Sequence, residues 1–268
     1  MANKLKRSLR KATEKIKDLR KPKEVPDPVG DPCLNCGNEL VGDFCHSCGQ
    51  AAVVQRYAPG NFAKEIYQTL RSIDLTTSIG TGWKLVTEPG TFVRNYLAGQ
   101  RVGFINPVKF FFYTFLIEVS AQTILDPIFN QGTSAATATS RTMQIIDLVS
   151  LIFWGLLWRV FYRKSGFNIA ESAAAAIYYQ SAINFFETLL LIAVVPIRFL
   201  FGDVQYAFGA IEIIPSLIYA YYFVYKLFQE SLWLTIIKQT ILTMLFFIVI
   251  VFVAILAGLL FGVDPAAK

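Results

Sequence analysis

The sequence is poor in the residues that do chemistry. His46 is the only histidine among 268 residues, and charged residues make up 16%, where soluble domains carry about a quarter. Acid–base catalysis would therefore fall to carboxylates. The chain also has no Gly-rich phosphate loop, no catalytic serine motif and no histidine-based centre. With no soluble cleft evident either, it reads as non-enzymatic, with no catalytic residues. Its start lacks the form of a signal peptide, because the basic stretch is long and no apolar run with a small-residue cleavage site follows.

What the chain does have is apolar: 54% of it is hydrophobic and 15% aromatic. Its net charge of +6 is uneven. Residues 1–24 hold ten Lys/Arg against three acids, so the remaining 244 residues sum to −1. Within that tail Leu5, Leu9, Ala12, Ile16 and Leu19 form one helical stripe with cations on the other faces. Pro22, Pro26, Pro28 and Pro32 then read as an extended linker. Such a helix can lie on an anionic bilayer; it reads equally as a solvated, frayed tail. The tail has no aromatic residue for base stacking, which argues against nucleic acid.

All four cysteines lie in "CLNCGNELVGDFCHSCGQ". Cys33 and Cys36, then Cys45 and Cys48, form two Cys-x-x-Cys knuckles separated by eight residues. Each pair can reach one ion from a single tight turn, and two pairs complete a closed tetrahedral site. Gly37 and Gly49 suit the knuckle turns, which favour positive φ. Leu40, Val41 and Phe44 offer an apolar contact between the halves. Disulfides would need an oxidising compartment, and a thioredoxin-like motif a βαβ setting. The expectation is structural Zn2+, with His46 a surface neighbour.

Residues 51–107 are semi-polar. Phe62, Ile66, Leu70 and Ile73 mark one helix face, and Trp83, Phe92, Val93, Tyr96 and Leu97 another, broken at Pro89-Gly90. Five apolar segments follow, at about 108–126, 143–162, 172–200, 206–228 and 236–262, judged against the roughly 20 residues that cross the hydrocarbon core. The last has no charge from Gln239 to Val263. The loop cations Arg159, Arg163, Lys164, Lys226 and Lys238 lie on the side of the basic tail. That side is therefore cytoplasmic and the carboxyl end outside.

The expected architecture is an all-α polytopic membrane protein with about five transmembrane helices and an N-terminal cytoplasmic ribbon. Its parts are a basic tail and linker (1–32), a zinc ribbon (33–50), interfacial helices (51–107), a five-helix bundle (108–262) and a short tail (263–268). Within the bundle, Gln180, Asn184 and Glu187 share one helix face, and Glu118 and Glu212 join them if their helices converge. Such a cluster could pass protons, hold a cation or contact a lipid headgroup; it reads as well as polar glue between helices.

The segment "EPGTFVRNYLAGQRVGFINPVKFFFY" together with the ribbon resembles the bacterial membrane family known as domain of unknown function 3667. The resemblance covers roughly residues 33–262 and rests on Pro89-Gly90, Tyr96, Gly99, Arg101 and Pro107. Gln100 stands where the family often has Lys or Arg, which puts a two-charge site in doubt. The resemblance implies a bacterial inner-membrane protein and no known activity. In topology alone the chain is also similar to the Yip-type membrane proteins. Arg101 is a candidate contact for lipid phosphate or an acidic partner, or an ordinary snorkelling arginine. The expected partners are membrane lipids and a protein at the cytoplasmic face.

Overall fold

The computed structural model describes residues 30–54, 56–57, 75–129, 134–201 and 205–261. The expected basic helix at 1–21 and the stripe from Phe62 to Ile73 lie outside the described residues. The chain divides after Val54 into two compact units.

The first unit holds the knuckles. Among the described residues it has no helix and only two isolated bridges, Pro32 with Glu39 and Phe44 with Ala51. These bridges expose an internal duplication with a period of twelve residues, from Gly30-Asp31 to Gly42-Asp43. Each half repeats the same bonds: Gly37 N–H to Cys33 O and Gly49 N–H to Cys45 O, both 2.9 Å, and Leu40 N–H to Asp31 O and Ala52 N–H to Asp43 O. Leu40 is buried with Cys33 and Cys45, and Ala52 packs beside them. Val41 and Phe44 are instead exposed, at 73% and 67%. The cysteine cluster itself fills the small interior, so those two side chains have no core to enter.

The regular elements among the described residues of the second unit are all helices: α1 (Leu75–Thr87), α2 (Thr91–Ala98), α3 (Pro107–Phe129), α4 (Ser134–Phe161), α5 (Ile169–Phe201), α6 (Gln205–Phe228) and α7 (Leu232–Phe261), with one 3-10 turn at Arg163–Ser165. The break expected at Pro89-Gly90 separates α1 from α2. Phe92, Val93, Tyr96 and Leu97 are buried as the stripe requires, but Trp83 is 66% exposed and Leu85 takes the inward position. The five apolar segments correspond to α3–α7, which have 23, 28, 33, 24 and 30 residues. Even the shortest spans about 35 Å at 1.5 Å per residue.

Helix α5 is central and packs against α1, α2, α3, α4 and α6; α7 packs against α4 and α6. Small residues permit the close α4–α5 approach: a Cβ on Gly155 would lie 3.3 Å from Ala173 Cα. The interior is aromatic, with Trp154, Trp158, Tyr162, Tyr178 and Phe223 all buried. The outside is apolar as well: Leu116 and Ile117 of α3, Ile152 of α4, Ile192 of α5, Ile218 of α6 and Phe252 of α7 are exposed. One segment, Leu232–Val253 in α7, is by length and composition long and apolar enough to cross a membrane, and little of it is buried.

Candidate functional site

The four Sγ atoms of Cys33, Cys36, Cys45 and Cys48 all lie within 4.8 Å of one another. Cys33 and Cys48 are 3.7 Å apart and Cys36 and Cys45 3.5 Å, far from the roughly 2.05 Å of a disulfide. A tetrahedral ion with sulfur at about 2.3 Å sets its ligands about 3.8 Å apart. The donor set therefore fits a thiophilic divalent ion, and each knuckle contributes one member to each close pair.

Local backbone geometry prepares the sulfurs. The N–H groups of Cys48 and Ser47 lower the Cys45 pKa to about 6, and the Cys36 N–H lowers that of Cys33. The Asn38 N–H acts in the same sense on Cys36, yet desolvation and the facing thiols of Cys45 and Cys48 carry it up to about 12. Holding all four as thiolates together requires a cation. His46 is exposed.

A second constellation joins α4 to α5. Gln180 Nε2 donates to Asp147 Oδ1 at 3.0 Å and to Asn184 Oδ1 at 2.8 Å. Its Oε1 accepts from the Ser150 hydroxyl at 2.5 Å. Gln180, Asn184 and Ser150 are buried. Thr188, one turn beyond Asn184, continues the buried face, and Glu187 is exposed. Glu118 is half-buried, and both it and Glu187 lie within electrostatic reach of Asp147. Glu212 lies in α6 and its side chain is outside the described residues. Asp147 and Ser150 were not foreseen as cluster members; their spacing of three on one helix face was the signal available.

Arg101 lies between aromatic rings. Its guanidinium is 4.6 Å from the Tyr57 centroid and 5.7 Å from that of Tyr96, a cation–π arrangement. The Tyr57 hydroxyl donates to that of Tyr96 at 3.4 Å, and Tyr178 donates to Ile105 O. Nearby, Arg56 makes two 2.7 Å bonds to the Glu171 carboxylate. Glu171 in turn accepts from Asn168 N–H while its own N–H donates to Asn168 Oδ1. That reciprocal pair is a capping box at the start of α5. The sequence shows the box as Asn-x-x-Glu, but nothing in it points to Arg56.

No curated protein and no solved structure matches the chain. Residues 79–118 match the model of the family described as protein of unknown function (DUF3667), the family that the stretch from Pro89 to Pro107 resembles.

Proposed function

We propose that the chain is a non-enzymatic, multi-pass protein of the bacterial inner membrane whose cytoplasmic zinc ribbon mediates protein–protein or membrane-proximal assembly. The observation that carries this reading is the cluster of four sulfurs on duplicated knuckles. A unit with so small a core needs a metal to fold, and four sulfur ligands leave no open position for catalysis. Exposed Leu34, Val41, Phe44 and Val53 give the ribbon an apolar surface suited to a partner. Helices α3–α7 act as five spans, supported by their lengths, their apolar exteriors and the cations at one end. Arg101 serves as the lipid-phosphate contact at that end.

The test is recovery of partners from native membranes with the full chain and with Cys33→Ser/Cys36→Ser. Loss of partner from a variant that still inserts supports the reading. An identical set of partners contradicts it.

A second reading, a cation or proton transporter, is favoured by the Asp147–Gln180–Asn184–Ser150 network with Glu118 and Glu187 nearby. The same bonds also serve as interhelical glue, each contributing about 1 kcal/mol. Flux into reconstituted vesicles that falls in Asp147→Asn selects the transporter. Absence of flux under an imposed gradient leaves the assembly role.

A further inference from the structure

Protons and acceptors are mismatched at both ends of the network that joins α4 to α5. Ser150 has one hydroxyl proton but two acceptors within bonding distance, the Asp147 backbone carbonyl at 2.7 Å and Gln180 Oε1 at 2.5 Å. One turn along α5 the reverse holds. Asn184 is 1% exposed, and its Oδ1 accepts from Gln180. Its Nδ2, however, has no hydrogen-bond partner among the described residues. A proton is short at Ser150 while amide protons are spare at Asn184. A buried orphan N–H is rarer in folded proteins than an under-used carbonyl.

One rearrangement redistributes these protons without new space. Rotating each terminal amide by half a turn exchanges its oxygen and nitrogen and keeps the same positions filled. Gln180 Nε2 then faces Ser150 and donates to the hydroxyl oxygen, which leaves the single hydroxyl proton for the Asp147 carbonyl. Asn184 Nδ2 then faces Gln180 Oε1 and donates to it. The atom left unpaired is the Asn184 carbonyl oxygen. Turning over Gln180 alone would bring two amide oxygens together, so the two side chains turn as a pair.

The turned arrangement sets one condition. Gln180 Oε1 now occupies the place of Nε2, 3.0 Å from Asp147 Oδ1. Two oxygens at hydrogen-bond distance need a proton between them. With the amides as the structure holds them, Asp147 accepts from Gln180 and needs none. The two arrangements therefore differ by one proton on Asp147. Helices α3, α5 and α7 pack against α4. Among the described residues, the charged groups facing Asp147 are Glu118 of α3 and Glu187 of α5, both acids. Helix α7 has one charged residue, Lys238, and it lies at Tyr162, just past the end of α4.

We infer that Asp147 is a proton-binding site coupled to the orientation of the Gln180 and Asn184 amides. Ionised, it accepts from Gln180; protonated, it donates to Gln180, and both amides are turned over. The proton comes from the medium and returns to it. This deepens the second reading above by naming the proton as the species bound. It rests on the hydrogen bonds alone, and holds whether or not the proton is carried across a membrane.

The test is a pH titration of the full chain in lipid discs, over the range in which its melting transition persists. The chain carries 15N in the Gln and Asn side chains and 13C in the Asp side-chain carboxyl. Loss of signal in Gln180→Leu and Asn184→Leu assigns the two amides. As pH falls, both amide signals should shift with one midpoint. The infrared C=O band of a protonated 13C-aspartic acid should grow with that same midpoint. The isotope separates this band from Glu118 and Glu187 in the unmutated protein, so this arm needs no variant. In Asp147→Asn both amide signals should be independent of pH.

Amide signals that stay fixed while the aspartic acid band grows overturn the coupling. Shifts that survive in Asp147→Asn assign the titration to another carboxyl and overturn the site. Shifts that follow sodium concentration at fixed pH identify a metal cation and also overturn it. The flux assay above scores transport separately: coupled titration without flux keeps the proton site and removes the transporter.

Discussion

At the scale of single residues, two glycines separate backbone strain from steric exclusion. Gly90 begins α2 with φ +65°, and a Cβ there would lie 2.1 Å from Phe223 O and 2.6 Å from Leu227 N of α6. Gly103 also has positive φ, +84°, but meets nothing within 4 Å. Gly103→Ala therefore loses only the conformational term, about 1 kcal/mol. Gly90→Ala must also move α2 away from α6, and loses on the order of 3 kcal/mol or more. Melting curves of the two variants check the difference, and equal losses would contradict the close α2–α6 approach. The cysteines were legible because ligand spacing is a local property of the chain. The exposure of Val41 and Phe44 was not, because hydropathy alone does not reveal how little interior a unit this small can offer.

Among the elements, the long helices were legible to within four residues at most ends, but α4 begins at Ser134, nine residues before its apolar segment, because its first turns are polar and small. Proline, glycine and charge punctuate them, and apolar runs of that length have few other uses. Packing partners are a property of three dimensions, so the sequence could not show that Asp147 and Ser150 of α4 meet Gln180 of α5. Glu187 illustrates the same limit. Helical spacing puts it near Gln180 and Asn184, yet the buried row advances in steps of four to Thr188 and leaves Glu187 outside.

The start of α5 carries an element-scale prediction. Glu171→Gln keeps the capping box, since glutamine can also close it, but removes the charge that holds Arg56. Arg56 is 68% exposed on its side chain, so solvent screening limits the loss to about 1 kcal/mol. Glu171→Ala loses the cap as well and falls by about 1 kcal/mol more. Thermal melts at fixed salt check the order of the two variants. The Arg56 pKa is raised by the Glu171 hydrogen bond and its charge. Arg56's share of this stability is therefore complete at neutral pH and titrates away only above the ordinary arginine range.

At the scale of the whole molecule, two units of opposite character share one chain. One is a metal-sized knuckle pair whose interior is mostly sulfur. The other is an aromatic helical unit that is apolar inside and out. An apolar exterior of this kind suits a medium other than water, and four clustered sulfurs suit a metal ion. The membrane and the zinc reading thus follow from the same question, namely what completes each surface.

Elemental analysis of the purified full chain tests the zinc centre, on which the assembly role depends. The wild-type protein should carry about one zinc per chain, and Cys33→Ser/Cys36→Ser should carry none while remaining in the membrane fraction. A wild-type protein without zinc, or a double variant that keeps it, would contradict the account.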